Sequence, residues 1–247
     1  MPHFFIESSQ IINNKIEISD KDNYVHIARA LRARAGEKLL LIDEKQIQYE
    51  TTILQITNSE ILVEINSSYP SKRFLDFELY LAQSPLRSDA QSLLIEKATE
   101  LGVNGIFPVL TDNCAINKSV AEKKVQKWQK IMYEASKQCE RAFVPECFEI
   151  SKIDSVVSDN HFDKIIVFCE RIAEKTIRDS FLEHPVNKGD KVLVIIGPEG
   201  GFSQKEFEYF EKQNFEMLTL GNLILKADTA VVVALGNIIY EYSNFNR

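Results

Sequence analysis

The stretch of sequence that decides the fold is KVLVIIGPEGGFS, at positions 191–203. Its branched apolar run, Val192–Ile196, is typical of a strand buried on both faces of a parallel sheet. The GPEGG turn at 197–201 follows, and its lack of bulky side chains lets a ligand approach the backbone closely. Three of the chain's nine glycines lie in this turn and a fourth is Gly221. The turn is therefore either a tight reversal of the chain or one wall of a ligand site.

Strands and helices alternate around this stretch. Apolar runs predict strands over 77–82, 106–110, 164–169, 191–196 and 216–220. Helix-start signals stand between them; one is a capping box of Ser203 and Glu206, and another is Asp228 or Thr229 as the first residue of the last helix. An alternating βαβα order predicts a mostly parallel α/β sheet with helices on both faces.

The first 70 residues have a different character. Short β-rich runs are separated by turn residues such as Asn13-Asn14 and Asn58-Ser59, which predicts a small β-barrel. The segment Ser67-Ser68-Tyr69-Pro70-Ser71 is interpreted as a linker. We therefore expect two domains, over residues 1–70 and 73–247.

Composition narrows the function classes. Apolar residues make up 45% of the 247 residues and charged residues 26%, as in ordinary soluble globular proteins. No apolar run approaches the roughly 18 residues of a membrane span, and the N-terminus lacks the basic region of a signal peptide. We expect a cytoplasmic protein. The four cysteines form no C-x-x-C pair and the four histidines no H-E-x-x-H, so no metal site is expected.

The charge distribution leaves a nucleic-acid partner open. The formal net charge of -7 argues mildly against one, but basic residues are concentrated in segments 24–38 and 117–141. A solvated helix face explains either segment alone. Both together are also compatible with an RNA-binding surface.

A second loop resembles the first. The sequence LGNLIL at 220–225 follows the next predicted strand. Ligands of open parallel sheets lie beyond the carboxyl ends of the strands, so we expect the two loops to hold the same ligand between them. Neither loop matches a dinucleotide or P-loop motif, so we expect a ligand bound through backbone contacts, such as an adenosine-type group.

Five ordered segments resemble one protein family. GPEGGFS at 197–203 and LG…ILKADTA at 220–230 resemble the two C-terminal signatures of the bacterial 16S ribosomal RNA uracil-N3 methyltransferases, of the SPOUT class. Three further segments agree: HI…LR…G at 26–36, EKATELGV at 96–103, and W…I…EA…Q…R…P at 128–145. The resemblance covers nearly the whole chain.

This resemblance implies a PUA-like β-barrel followed by a SPOUT domain with a C-terminal trefoil knot. It also implies a homodimer, S-adenosylmethionine as the methyl donor, and a uridine of 16S rRNA in the small ribosomal subunit as the acceptor. By resemblance the strand end Phe168–Arg171 forms a third wall beside the two loops. The implied donor contacts are Phe168, Ile196, Gly197, Pro198, Glu199, Gly200, Gly201, Leu220, Gly221, Asn222, Ile224 and Leu225.

The chemistry of N3 methylation selects candidate catalytic residues. The N3 proton must leave, so a carboxylate that accepts it and a cation that stabilises the developing anion would help. Glu199 and Asp228 are the candidate carboxylates, and Lys226 is the candidate cation. Each carboxylate also has a structural interpretation: Glu199 as a hydrogen-bond partner of the adjacent turn or helix start, and Asp228 as an ordinary N-cap.

The RNA-side residues carry the main departures from the family. The family usually has Arg, Arg and Glu where this chain has Leu223, Lys226 and Asp228. Two alternatives therefore stay open: a non-catalytic RNA-binding or ribosome-assembly protein, and a SPOUT enzyme that modifies another RNA position. The predicted RNA contacts are Arg29, Arg32, Arg34, Arg87, Gln138 and Arg141.

Overall fold

The computed structural model of the protein describes residues 2–169 and 172–245, without the side chains of Ser88 and Phe245. The chain divides into two compact units. The first consists of the residues up to Phe74 together with Ser136–Val144, and the second of Leu75–Ala135 and the chain from Pro145 onward.

The first unit is built on a six-stranded sheet in the order β1-β4-β5-β6-β3-β2. Strands β1 and β4 are parallel, and the other neighbours are antiparallel. Alternate residues such as Ile16 and Ile18 point into an apolar core, as a sheet with one solvated face requires. The strands are β1 (His3–Phe5), β2 (Ile11–Ile12), β3 (Lys15–Ile18), β4 (Lys38–Ile42), β5 (Ile47–Ile56) and β6 (Ile61–Pro70), and α1 (Lys21–Tyr24) leads into a π-helical turn at Val25–Ala30.

Two features of this unit differ from expectation. The segment interpreted as a linker is mostly strand, because β6 continues to Pro70 and pairs with the start of β5. The expected domain ranges are contiguous, whereas Ser136–Val144 belongs to the first unit. An ion pair of 2.6 Å between Arg73 and Glu140 joins that segment to the strand exit. Sequence spacing gives no sign of such a return.

The second unit is a parallel sheet in the order β12-β10-β11-β7-β8-β9. Its strands are β7 (Glu78–Gln83), β8 (Gly105–Pro108), β9 (Glu146–Cys147), β10 (Lys164–Phe168), β11 (Lys191–Ile196) and β12 (Glu216–Leu218). The remaining helices are α2 (Ser88–Glu100), α3 (Lys118–Glu122), α4 (Val125–Gln138), α5 (Ile153–Asp159), α6 (Ile177–Glu183), α7 (Gln204–Lys212) and α8 (Ala227–Phe245).

Helices cover both faces of this sheet, as predicted. Side chains of β11 alternate between two cores: Val194 and Ile196 pack with residues of α2, α6 and α8, while Leu193 and Ile195 pack with residues of α5 and α7. A strand buried on both faces needs an unbroken apolar run, and positions 192–196 supply it. The glycine turn follows β11, so it lies at the carboxyl edge of the sheet, and β11 is an interior strand.

Local signals at the helix starts have mixed outcomes. The predicted capping box of Ser203 and Glu206 is confirmed at the start of α7. Asp228 is not an N-cap, because α8 already begins at Ala227. Within the described ranges, no helix combines the length and apolarity needed to cross a membrane. The trefoil knot stays a prediction.

Candidate functional site

A cavity of about 870 Å³ lies at the carboxyl ends of β10 and β11, beside the first turn of α8. Three segments supply much of its wall: the end of β10, the glycine turn after β11, and the residues that lead into α8. The lining residues are Leu86, Ala90, Phe168, Cys169, Ile172, Ile196, Gly197, Pro198, Glu199, Gly200, Gly201, Phe202, Phe207, Ile224, Leu225, Lys226, Ala227, Asp228 and Ala230. The cavity therefore lies where ligands of parallel α/β sheets bind.

The glycine turn is closed by its own backbone. The Gly201 N–H donates to the Pro198 carbonyl at 2.9 Å, and Gly201 has a φ of +70°, in the left-handed region that glycine adopts without strain. The N–H groups of Glu199, Gly200 and Phe202 make no hydrogen bond to any described residue. These donors fit the prediction of a ligand held by backbone contacts.

Most of the predicted donor contacts line this one cavity. They are Phe168, Ile196, Gly197, Pro198, Glu199, Gly200, Gly201, Ile224 and Leu225. Leu220, Gly221 and Asn222 do not line it. The Thr219 hydroxyl donates to the Gly221 carbonyl and accepts from the Gly221 N–H, both at 3.1 Å, so this turn closes on its own strand end. Of the predicted third wall, Glu170 and Arg171 lie outside the described residues.

Several lining residues escaped sequence reasoning. Leu86 and Ala90 come from the β7 exit and α2, Phe202 and Phe207 from around the start of α7, and Ala230 from α8. Each is a small or apolar residue that sequence alone cannot distinguish from core. Only the position of their elements at the carboxyl edge of the sheet would have identified them.

All three candidate catalytic residues line the cavity. Glu199 is exposed, and its carboxylate has no hydrogen bond or ion pair within the described chain. Its expected helix-start role is filled by Glu206, which caps α7 instead. Lys226 is exposed, and half-buried Asp228 accepts from the Thr229 N–H at 2.9 Å. The described residues include no cluster of three or more His, Cys, Asp or Glu side chains that could hold a metal.

The predicted RNA contacts fall into two groups. Exposed residues are Arg29, Arg32, Arg34, Arg87 and Gln138. Arg141 is only 5% exposed, and its guanidinium lies 4.8 Å from the centre of the Phe143 ring. Burial lowers the pKa of Arg141 to about 10. A side chain buried in this way is not at the surface where a phosphate would approach.

The chain belongs to the RNA methyltransferase family, because the family model described as "RNA methyltransferase domain" matches residues 74–239. A second model, "RNA methyltransferase PUA domain", matches residues 18–66. The expected fold class, a parallel α/β sheet with helices on both faces preceded by a PUA-like domain, is thereby confirmed.

Relatives cover almost the whole chain. The "Ribosomal RNA small subunit methyltransferase E" of Bacillus subtilis is 25% identical in an alignment 248 positions long that covers 98% of this chain and 97% of that protein. A solved structure of a putative methyltransferase from Legionella pneumophila with the bound cofactor SAM is 27% identical, covers 96% of each chain and superimposes with a TM-score of 0.83. The methyltransferase E structure from Neisseria gonorrhoeae, 24% identical with 96% of each chain covered and a TM-score of 0.82, has the same fold.

Proposed function

We propose that this protein transfers the methyl group of S-adenosylmethionine to N3 of a uridine in 16S rRNA. The observation that carries the proposal is one cavity walled by both signature segments, with unpaired backbone N–H groups on the glycine turn. Full-length relatives with the name of a small-subunit rRNA methyltransferase support it.

The residues of the cavity fit this donor. Its volume of about 870 Å³ lies within the usual range for small-molecule sites. Apolar side chains such as Phe168, Ile196 and Leu225 suit an adenine ring, and the free N–H groups suit its polar atoms. The bound donor would supply an electrophilic methyl group on its sulfonium.

The chain's own residues would hold the acceptor and move its proton. We infer that the unpaired Glu199 carboxylate accepts the N3 proton, since it has no competing partner. The Lys226 ammonium would stabilise negative charge that develops on the uracil as N3 loses its proton. Asp228 is the alternative base, but its oxygen already accepts from Thr229. Positioning supplies much of the remaining rate, since methyl transfer is an in-line displacement.

We further propose that the expected domain at 1–70 binds the RNA and that the knotted domain at 73–247 carries out transfer. Arg29, Arg32 and Arg34 are exposed on the first unit and suit phosphate contact. The exposed side chains of Arg87 and Gln138 are further candidates. The substrate would be the small ribosomal subunit or its rRNA, in the cytoplasm.

A homodimer is supported by the exposed side of α8. Val232, Gly236 and Tyr240 recur every four residues, so they share one face of the helix, and Tyr240 is 63% exposed. A large apolar side chain exposed beside a small residue suits a second copy of this chain. Light scattering of the wild type and of Tyr240→Asp tests this: a dimer that becomes a monomer supports it, and a wild-type monomer refutes it.

The function is tested in two steps. Calorimetry measures donor binding, and radiolabelled donor is then incubated with small subunits that lack N3-methyluridine, followed by mass spectrometry of the nucleosides. We expect saturable binding and new N3-methyluridine. Binding without transfer favours the RNA-binding alternative, as would no binding at all. Label on a ribose or another base favours a SPOUT enzyme with a different target.

A further inference from the structure

We propose that Asn113 is a positioning residue of the glycine turn: it holds two carbonyl groups of the turn so that the turn keeps its donor-binding shape. Asn113 follows β8, two strands away from the strand that carries the turn. Its side chain does not line the cavity. The inference rests on the proposed use of that cavity for S-adenosylmethionine.

One side-chain amide bridges both glycine carbonyls. The Asn113 Nδ2 donates to the Gly201 carbonyl at 3.0 Å and approaches the Gly200 carbonyl at 3.5 Å. The first distance is that of an ordinary N–H···O hydrogen bond, and the second is a longer contact. These bonds join positions 88 and 87 residues apart in sequence.

Holding a carbonyl also fixes the N–H on the other side of the same peptide. Peptide groups are planar and trans, so the Gly201 carbonyl sets the direction of the Phe202 N–H. That N–H has no partner among the described residues, and Phe202 lines the cavity. Asn113 therefore orients the Phe202 N–H, a hydrogen-bond donor, without touching the ligand itself.

The fit between Asn113 and the turn is close. A methyl group added at Gly200 would lie 3.1 Å from the Asn113 Cβ, a tight contact that would require Asn113 to shift by a few tenths of an ångström. This explains a glycine at a position where a positive φ does not require one.

The neighbouring residue anchors Asn113. The Ser203 hydroxyl donates to the Asp112 carboxylate at 2.6 Å, and the Asp112 N–H donates to Glu206 at 3.1 Å. The segment after β8 is thus hydrogen-bonded to the capping box of α7, which follows the glycine turn in sequence. Because Asp112 is hydrogen-bonded through both its carboxylate and its N–H, the backbone next to Asn113 is held in place.

The test compares Asn113→Ala and Asn113→Asp with the wild type. The alanine variant loses the side-chain N–H groups that hold the turn. We expect S-adenosylmethionine to bind about threefold to tenfold more weakly, as for the loss of one hydrogen bond. The aspartate variant turns an acceptor toward two carbonyls, so its affinity should fall further, by more than tenfold. Both variants should raise the KM for the donor and leave the KM for RNA unchanged, and any fall in kcat at saturating donor should be smaller than the loss of donor affinity.

The matched control is Asn160, which also donates from Nδ2 to a carbonyl, that of Val156 at 2.9 Å, at the end of α5. Asn160→Ala and Asn160→Asp should leave donor affinity at the wild-type value. Thermal unfolding of every variant shows whether a change reflects folding. Wild-type donor affinity in both Asn113 variants would overturn the inference, as would losses matched by the Asn160 pair. Failure of the wild type to bind the donor would instead overturn the proposed function, and this inference with it.

Discussion

The two loops that meet at the cavity are built differently. The glycine turn at 197–201 is closed by its own hydrogen bond and held by Asn113 across the sheet edge. The loop at 221–225 is fastened at its start by the Thr219 hydroxyl, and then presents Leu223 and Ile224 with 76% and 70% of their surface exposed. We infer that the first wall is preorganised and that the second is freer to move.

This difference suggests a division of labour. A preorganised backbone suits a small donor of fixed shape, because the entropy of ordering the loop is already lost. A loosely held loop suits a large acceptor that arrives in varied orientations. Since the second loop leads directly into Lys226 and Asp228, we infer that RNA binding adjusts these two side chains against a fixed donor.

The largest expected effect comes from replacing the carboxylates of the glycine turn and of the first turn of α8 one at a time. Glu199→Gln should lower kcat about a hundredfold, since it removes the proposed base, with donor affinity unchanged. Asp228→Asn should lower kcat less than tenfold, because its oxygen already serves the Thr229 N–H. Single-turnover methylation of small subunits measures both. A larger loss in the Asp228 variant would reverse the assignment.

Alanine at the left-handed glycine of each loop probes their rigidity. Gly201→Ala should weaken donor binding about tenfold, because a held turn cannot relax the strain of about 1–2 kcal/mol at a φ of +70°. Gly221→Ala, at a φ of +119°, should weaken it less than threefold, because Gly221 does not line the cavity. Calorimetry with S-adenosylmethionine distinguishes them, and equal losses would mean that the loops do not differ in rigidity.

Lys226, directly after the second loop, tests whether this part of the cavity wall serves the acceptor. Lys226→Ala should reduce kcat/KM for RNA several-fold and leave donor affinity unchanged. Lys226→Arg should have a kcat/KM for RNA equal to or above the wild-type value, since a guanidinium binds a base or phosphate through two hydrogen bonds. Filter binding and initial rates measure the two quantities. Weaker donor binding in the alanine variant would contradict the division of labour.

Mild acid should lower the stability of the first unit and leave the affinity for the methyl donor nearly unchanged. Burial lowers the pKa of His3 to about 4, whereas the unfolded chain takes up this proton near pH 6.5. The stabilising contribution of neutral His3 is therefore complete above pH 6.5 and falls as the pH drops toward 4, by up to about 3 kcal/mol. Denaturant unfolding from pH 7 to 5 measures the loss, and His3→Gln should reduce it. Donor affinity should change little, since no histidine lines the cavity.

Much of this arrangement could be predicted from local sequence. The apolar run at 192–196 and the glycines after it indicate a buried strand and a close backbone approach, and both are present. The bond from Asn113 to Gly201 was not predictable, because an asparagine between a strand and a helix looks like any loop residue. Burial of Arg141 was missed for a similar reason: its contact with Phe143 depends on how the segment folds back. Pro70 ends a strand, although its neighbours favoured a linker.

Hydrogen–deuterium exchange with and without S-adenosylmethionine tests the central claim most directly. Without the donor, the amides of Glu199, Gly200 and Phe202 should exchange fast, because they have no hydrogen-bond partner among the described residues, and so should the amides of 222–226. Added donor should slow exchange in both segments and at the end of β10, and leave the sheet of the first unit unchanged. Protection confined to other regions, at donor concentrations that calorimetry shows to be saturating, would contradict the account.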